Sequence, residues 1–258
     1  MPITPYQIAD LLRTAVGASP AHRHTTAIIV AAGSSTRMGG EVSKQLLDVS
    51  GIPVLARTLL AYEQASTVDE IVLVARREDF DAFLALAKQY HITKTKRITE
   101  GGDSRQASVL RGLEVVSDKT KFVAIADGAR CLITPEIIDN VSLAAWREGA
   151  ACAASRVTDT VKLSTKKGYA QKDAPDRDVV WLAATPQTFA LPLYRAAAYH
   201  AKEKGYVATD DAALVSAIGR PVRLVDCGKE NIKITTPDDL YLARAILLRR
   251  EQQKEGDV

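Results

Sequence analysis

The loop formed by residues 31–45, AAGSSTRMGGEVSKQ, constrains the fold of this chain more than any other segment. It follows the apolar run Ala27–Ala31, which predicts a strand, and it contains two cations, Arg37 and Lys44. A strand that opens into a Gly/Ser/Thr loop exposes backbone N–H groups at the carboxyl edge of an open α/β sheet, where phosphates bind. The cations add positive charge beside such an anion. The alternative is a tight turn into a helix, with both cations solvated.

The composition is that of an ordinary globular protein, with 258 residues, 47% apolar and 25% charged. A net charge of +3 fits an anionic small substrate. The chain has no basic run interleaved with aromatic residues, so we expect no nucleic-acid partner. Its three scattered cysteines form no disulfide framework, and four histidines, two of them in a polar leader, argue against a zinc site. Without a membrane-spanning stretch or a signal peptide, we expect a soluble cytoplasmic protein without a membrane partner.

Residues 1–24 form an N-terminal extension. Tyr6–Val16 carries apolar residues at helical spacing, which predicts one short amphipathic helix. The linker GASPAHRH follows over residues 17–24. We expect one main domain over residues 25–250 and a polar tail over residues 251–258.

Strand-like and helix-like segments alternate through the main domain. This alternation predicts an α/β fold with a doubly wound, mostly parallel sheet, whose ligand sites lie at the carboxyl ends of the strands. The predicted strands are residues 71–75, 122–126 and 150–154, with a further short strand at 222–225, and the predicted helices are residues 53–66, 77–90, 104–116, 135–148 and 237 to about 249.

The alternation breaks between residues 156 and 185. A polar stretch that carries a glycine is flanked there by the strand-like segments Thr160–Leu163 and Val179–Leu182. This pattern is typical of a hairpin rather than of a crossover helix, so we expect a projecting β-hairpin arm. A plain surface loop is the alternative.

Seven further segments, together with the loop, resemble the sugar-nucleotidyltransferase-like enzymes, and within them the 2-C-methyl-D-erythritol 4-phosphate cytidylyltransferase family. In chain order they are GGDSRQASVL (101–110), ADGAR (126–130), TDTVK (158–162), DRD (176–178), ATPQTF (184–189), ATDDA (208–212) and NIKITTPDDL (231–240). The chain departs from the family pattern at Ser35, Ser43, Leu46, Ala126, Gly128 and Cys131.

The resemblance implies a role for each matching residue. The catalytic set would be Arg37, Lys44, Arg177 and Lys233. CTP would be bound by Ala31, Ala32, Gly33, Ser34, Ser35, Gly102, Asp103, Ser108, Asp127 and Gly128. The acceptor would be bound by Asp127, Arg130, Thr160, Arg177, Thr185, Thr209 and Lys233. The resemblance also implies Mg²⁺, held mainly by phosphates with Asp127 as the candidate protein ligand, and a homodimer in which the arms embrace the neighbouring subunit.

Ordinary structural roles explain several of these residues equally well. Asp103 or Ser104 fits a helix N-cap, and so does Thr209 or Asp210. Asp127 fits a turn in which its carboxylate bonds the local backbone. Arg177 and Lys233 fit solvated surface cations.

The implied reaction joins CTP to a polyol phosphate and releases pyrophosphate. A phosphate monoester is mostly dianionic at neutral pH, so no general base is needed. Ribitol 5-phosphate is an alternative acceptor, although the pattern around Arg105 and Ser108 and the Thr209–Asp210 pair favour 2-C-methyl-D-erythritol 4-phosphate. A non-catalytic nucleotide-binding regulator is the alternative from a different class, and the intact set of cations disfavours it.

Overall fold

The computed structural model describes residues 23–33 and 43–256. Within this part of the chain, the principal sheet has seven strands: β1 (Thr25–Val30), β4 (Glu70–Ala75), β5 (Thr95–Glu100), β6 (Phe122–Asp127), β7 (Ala150–Arg156), β8 (Trp181–Ala190) and β9 (Arg223–Asp226). A separate pair joins β2 (Asp48–Val49) to β3 (Ile52–Pro53). The order of strands across the principal sheet is β5-β4-β1-β6-β8-β7-β9.

Helices cover both faces of this sheet. On one face Val109 and Leu113 pack with Ile28, and on the other Leu55 and Phe83 pack with residues of β1 and β4. The α-helices in the described residues are α1 (Val54–Gln64), α2 (Phe80–Gln89), α3 (Arg105–Glu114), α4 (Pro135–Glu148), α5 (Leu191–Lys204), α6 (Asp211–Ala217) and α7 (Pro237–Gly256). None of the helices in the described ranges is long and apolar enough to cross a bilayer.

The prediction of a doubly wound, mostly parallel sheet is confirmed. Strands β5, β4, β1 and β6 run parallel, and so do β7 and β9, whereas β8 is antiparallel to both of its neighbours. The chain moves from β1 outward to β4 and β5, and then returns to place β6 on the other side of β1. The two crossovers diverge between β1 and β6, and such a switch point opens a crevice at the carboxyl edge. Val30 is in register with Asp127 there.

The projecting segment is shorter than predicted. Strand β8 begins at Trp181 and pairs antiparallel with β7, with Arg156 opposite Trp181 and Ala154 opposite Ala183. Residues 181–185 therefore belong to strand β8 and not to the projecting segment, and Trp181–Ala183 are the residues among them that pair with β7. Residues 157–180 lie between the two strands, and within them one isolated antiparallel bridge joins Ser164 to Ala170.

Other elements differ from the prediction in extent. Strand β5 was not predicted, because TKRITE is polar; it lies at the edge of the sheet and is only partly buried. Helix α5 was also not predicted, although Pro192 in its first turn fits a helix start. Helix α7 extends to Gly256, past the expected end near residue 249. The segment around Ile234 forms no strand but donates one backbone hydrogen bond to Ala129.

Candidate active site

A cavity of about 370 Å³ lies at the carboxyl edge of β1 and β6. It combines residues from the glycine-rich loop, the start of α3, the end of β6 and the segment before α7. The lining residues are Val30, Ala32, Gly33, Lys44, Gln45, Gly102, Asp103, Ser104, Arg105, Ser108, Asp127, Ala129 and Lys233.

Asp127, the last residue of β6, is at the centre of a cationic cluster. Its Oδ1 accepts a hydrogen bond from Arg105 Nε at 3.1 Å, and its Oδ2 lies 3.1 Å from Lys233 Nζ and 3.5 Å from Arg130 Nε. Burial alone would raise the pKa of this carboxyl group, but the charges of Lys233, Arg105 and Arg130 outweigh burial and lower the pKa to about 2. Asp127 is therefore a carboxylate at neutral pH, and its charge is balanced by more than one cation.

Arg105 connects this cluster to the helices behind it. Its Nη1 donates to Asp211 Oδ2 at 2.6 Å, and Asp211 Oδ1 accepts from the Tyr194 hydroxyl at 2.5 Å. Desolvation acts to lower the pKa of Arg105, but the charges of Asp211 and Asp127 raise it by more than desolvation lowers it. The pKa is therefore above its usual value, and the guanidinium stays charged. Arg105 is therefore held between two buried carboxylates, those of Asp127 and Asp211.

Lys44 approaches the cavity from the other side. It begins a 3₁₀ helix, Lys44–Leu46, is almost entirely buried and donates from Nζ to the Ile234 carbonyl at 3.1 Å. Ile234 is buried, whereas the neighbouring Lys233 is directed to Asp127. The alternation of apolar and cationic residues over 232–234 therefore brings two lysines, distant in sequence, to one cavity.

Thr185 and Arg130 support Asp127 and do not line the cavity. The Thr185 hydroxyl accepts from the Asp127 backbone N–H at 3.0 Å, and the Thr185 carbonyl accepts from Asn231 Nδ2 at 2.9 Å. Arg130 Nη1 donates to the Asn231 carbonyl at 2.5 Å. These contacts join the end of β6 to β8 and to the segment that carries Lys233.

The first turn of α3 forms one wall of the cavity. Ser104 is its N-cap, since the Ser104 hydroxyl accepts from the Ala107 backbone N–H at 3.0 Å, and Ser108 Oγ accepts from the Gly102 N–H at 3.1 Å. A Cβ on Gly101 would lie 2.5 Å from the Ala32 Cβ, so glycine is required where the two loops meet. The N-cap role proposed for Ser104 is thus present, and the helix start remains suited to an anion.

Other residues assigned to CTP differ in their placement. Ala32, Gly33, Gly102, Asp103 and Ser108 line the cavity. In contrast, the backbone N–H of Ala31 donates to the Val74 carbonyl, and that of Gly128 donates to the Val30 carbonyl. These two N–H groups therefore continue the hydrogen bonding of the sheet, and neither Ala31 nor Gly128 lines the cavity. Ala129, next to Gly128, does line it. Arg37, Ser34 and Ser35 lie outside the described residues.

Three residues assigned to the acceptor lie on the surface of the single chain. Thr160, Arg177 and Thr209 are exposed and are not part of the cavity lining. Arg177 Nη1 donates to the Thr158 carbonyl at 3.1 Å within the projecting segment.

Sequence reasoning assigned no role to Gln45, Asp211 or Asn231 and used Arg105 only to compare two possible acceptors. Arg105 lies within the GGDSRQASVL block, so its proximity to the cavity was available from the pattern. Its partner was not, because Asp210 and Asp211 are adjacent acids and the pattern does not tell which one caps a helix and which one is buried. In the structure Asp210 caps α6, accepting from Ala213 N–H, and Asp211 holds Arg105.

The switch-point cavity, the helix N-terminus and the cations around one carboxylate define an α/β nucleotidyltransferase. The family model described as IspD, 2-C-methyl-D-erythritol 4-phosphate cytidylyltransferase, matches residues 25–249, and the chain belongs to this family. The predicted family is thus confirmed.

Individual relatives agree with this assignment. The chain is 42% identical to a 2-C-methyl-D-erythritol 4-phosphate cytidylyltransferase of Synechococcus sp. (strain WH7803) over 223 residues, covering 86% of this chain and 99% of the relative. It is 44% identical to the enzyme of the same description from Desulforamulus reducens over 225 residues, covering 87% and 96%.

Solved structures have the same fold. The 4-diphosphocytidyl-2C-methyl-D-erythritol synthase of Anaerococcus prevotii matches with a TM-score of 0.79 and 29% identity, covering 88% of this chain and 97% of that one. The 2-C-methyl-D-erythritol 4-phosphate cytidylyltransferase of Thermus thermophilus matches with a TM-score of 0.69 and 32% identity, covering 86% and 98%.

Proposed function

We propose that this protein transfers CMP from CTP to 2-C-methyl-D-erythritol 4-phosphate and releases pyrophosphate. The observation that carries the proposal is the Asp127 cluster, which places Lys233 and Arg105 at the cavity in a chain of this family. An oxygen of the acceptor phosphate attacks the α-phosphorus and forms a new P–O bond. The bond from the α-phosphorus to the bridging oxygen breaks, and pyrophosphate leaves with that electron pair.

This chemistry agrees with the side chains of the cavity. A phosphate monoester has a second pKa of about 6, so the nucleophile is already ionised at neutral pH. No histidine lines the described part of the cavity, and its one buried carboxylate, Asp127, has a pKa of about 2 and is a poor base. The site must instead orient two anions that repel each other and compensate the charge that develops.

The cations divide between these two tasks. Lys44 is held beside the glycine-rich loop, so we assign it, with Arg37 of the same loop, to the negative charge that develops on the phosphoryl oxygens and the leaving group. Lys233 lines the cavity beside Asp127, so we assign it to the acceptor phosphate, whereas Arg130 lies outside the lining and pairs with the same carboxylate. Asp127 is then the counterion that holds both cations in place before the acceptor binds.

The nucleoside is assigned to the first turn of α3. Gly102, Asp103 and Ser108 present backbone and hydroxyl groups to the cavity, and the N-terminal end of α3 provides partial positive charge. This arrangement favours a ligand with both a polar heterocycle and phosphates.

The donor atoms fit Mg²⁺ only as an ion held largely by the substrate. The described residues contain no group of three or more metal-ligating His, Cys, Asp or Glu side chains, and Asp127 is already paired with cations. Asp127 would supply one oxygen ligand to an ion that the triphosphate holds. When bound, the ion would neutralise triphosphate charge.

We further propose a homodimer in which each projecting segment reaches the neighbouring subunit. Within this segment and beside it, Leu163, Tyr169, Val179 and Leu182 are large apolar side chains that are exposed in the single chain. Thr160 and Arg177 of the same region are exposed and lie outside the lining of their own cavity. A second copy would cover the apolar residues and receive the two polar ones, with two-fold symmetry making the exchange reciprocal.

The test is pyrophosphate release by the purified full chain with CTP and each polyol phosphate. We expect kcat/KM for 2-C-methyl-D-erythritol 4-phosphate to exceed that for ribitol 5-phosphate by a wide margin. A preference for ribitol 5-phosphate would overturn the acceptor assignment. CTP binding with no pyrophosphate release from either acceptor would favour a regulator.

A further inference from the structure

A second, larger cavity lies at the edge of the sheet opposite the candidate active site. It is a groove of about 770 Å³ between α3 and α5. Leu110 and Leu113 of α3 and Leu191 and Tyr199 of α5 contribute its apolar lining, and Tyr199 is 48% exposed. The charged residues of the groove are all exposed: Glu114, Asp118, Lys121, Arg195 and Lys202. An apolar floor between exposed charges suits an amphipathic helix.

The N-terminal part of the chain meets the described structure at this same edge. The His24 carbonyl accepts hydrogen bonds from the backbone N–H groups of Lys121 and Phe122, at 2.8 and 3.1 Å. Thr26 Oγ1 lies 2.8 Å from Thr120 Oγ1. Because Thr120 and Lys121 both line the groove, the residues just before β1 lie beside it.

The sequence before β1 has the pattern that such a groove accepts. Residues 6–16 carry Ile8, Leu11, Leu12 and Val16 at the spacing of one helical face, whereas Thr14 and Asp10 fall on the opposite face. Six linker residues, 17–22, separate this segment from the described structure. Fully extended, six residues span roughly 20 Å, which allows the segment to turn back onto the groove.

The Synechococcus relative has little or no counterpart of this segment. The alignment with the Synechococcus protein takes up 99% of that relative in 223 residues, and the family model begins at residue 25. The extension therefore lies outside the range that the family model matches, whereas the groove lies within that range.

We propose that residues 6–16 bind as a helix in the groove between α3 and α5 of their own chain. The apolar face of the segment covers Leu110, Leu113 and Tyr199, and the charged rim contacts its polar side. Helix α3 contributes its first turn to the candidate active site and its last turns to the groove. The bound segment therefore stabilises the position of α3 through contacts at the opposite edge of the sheet.

Hydrogen–deuterium exchange of the full chain tests this proposal. Three proteins are compared: the wild type, Leu12→Asp, which places a charge on the apolar face, and Thr14→Asp, a matched control on the polar face. We expect Leu12→Asp to increase exchange roughly tenfold in residues 110–121 and 195–202, and Thr14→Asp to leave it unchanged. Unchanged exchange in β1 and β6 verifies that each variant is folded.

Two results would overturn the proposal. One is equal exchange of the groove in all three proteins. The other is an effect of Leu12→Asp confined to a different surface, such as the exposed apolar residues Tyr241 and Leu248 of α7.

A cross-link distinguishes a chain's own segment from that of a second copy. Cysteines introduced by Leu11→Cys and Tyr199→Cys, joined by a short bis-maleimide, should give a product with the mass of one chain. A product confined to twice that mass would contradict binding within the chain. The native Cys131, Cys152 and Cys227 are buried, so they are poor targets for the reagent.

Discussion

Lys233 Nζ lies 3.1 Å from Asp127 Oδ2, so the cation that we assign to the acceptor phosphate already has a carboxylate partner within the protein. Arg105 and Arg130 contact the same carboxylate. A phosphate that binds Lys233 must share it with Asp127, and this arrangement keeps the lysine oriented without leaving its charge uncompensated.

The low pKa of Asp127 predicts how stability depends on pH. The pKa is about 2 in the folded chain against 3.8 for an unperturbed aspartate. A lowered pKa stabilises the fold above the unfolded value, and this contribution is lost as pH falls through about 4 towards 2. The shift corresponds to roughly 2 kcal/mol. We expect Asp127→Asn to be less stable than the wild type at pH 6 by about this amount, and the difference to shrink towards pH 2.

Urea unfolding of both proteins from pH 6 to pH 2, at one fixed protein concentration, measures this difference. Other carboxyl groups with lowered pKa, such as those of Glu63 and Asp139, contribute equally to both proteins and cancel. A difference that stays constant over the whole range would show that the charge of Asp127 does not stabilise the fold.

Lys44→Ala and Arg37→Ala are expected to lower kcat far more than they weaken CTP binding. Each cation is assigned to charge that develops in the transition state, and the loss of one such contact costs on the order of 3–4 kcal/mol, or 10²–10³-fold in rate. Steady-state pyrophosphate release and equilibrium CTP binding give the two quantities. Lys88→Ala is the matched control, since Lys88 is an exposed lysine on α2. A loss of affinity with kcat intact would assign both cations to binding alone.

The Arg105–Asp211 pair predicts that a substitution outside the cavity lining, at Asp211, changes nucleotide binding through Arg105. Asp211→Asn removes the charge that holds Arg105, so we expect a loss of roughly 1–3 kcal/mol in stability. We also expect a higher KM for CTP, because Arg105 lines the cavity in the first turn of α3, to which we assign the nucleoside. Tyr194→Phe removes only the hydroxyl that bonds Asp211, so about 1 kcal/mol of stability should be lost while KM stays unchanged. Chemical unfolding and steady-state kinetics of both variants provide the comparison. If the two variants share one unchanged KM, Asp211 does not position Arg105 for the nucleotide.

Local pattern predicted most of the fold because the buried strands are short apolar runs with clear limits. Strand β1 and helix α4 are close to their predicted bounds; α4 has Thr134 as N-cap, Pro135 in its first turn and Gly149 in a left-handed conformation at its end. The segment Val179–Leu182 was predicted to be strand-like, but its place in the sheet was not, because only the pairing of Trp181–Ala183 with β7 makes it the start of β8 rather than one side of the projecting hairpin. Likewise β5 is polar, and its pairing with β4 forms it.

The site was predictable to the level of motifs but not of partners. The NIKITTPDDL pattern placed Lys233 among the acceptor-binding residues but did not indicate its partner within the protein, which in the structure is Asp127. Arg130 is three residues from Asp127, but the convergence of Arg105 and Lys233 on this carboxylate brings together the start of α3, the end of β6 and the segment before α7, which a single sequence does not place relative to one another.

The projecting segment leads to the final prediction, a site shared between two subunits. Arg177 is exposed on this segment and lies outside the lining of its own cavity, as does Thr160. If each segment completes the acceptor site of the neighbour, Arg177 of one chain acts with Lys44 and Lys233 of the other. We therefore expect Arg177→Ala and Lys44→Ala to be nearly inactive when each is purified alone.

Mixed dimers of these two variants, made by co-expression, test the sharing. In a mixed dimer with exchanged segments, one site carries both substitutions and the other carries neither, so one of its two sites is intact. About half of randomly paired dimers are mixed, so total activity should recover to roughly a quarter of wild type. Two differently tagged chains allow the mixed dimer to be isolated, and its activity should be about half of wild type. Isolated mixed dimers as inactive as the two parents would show that Arg177 acts within its own chain or has no role in the reaction.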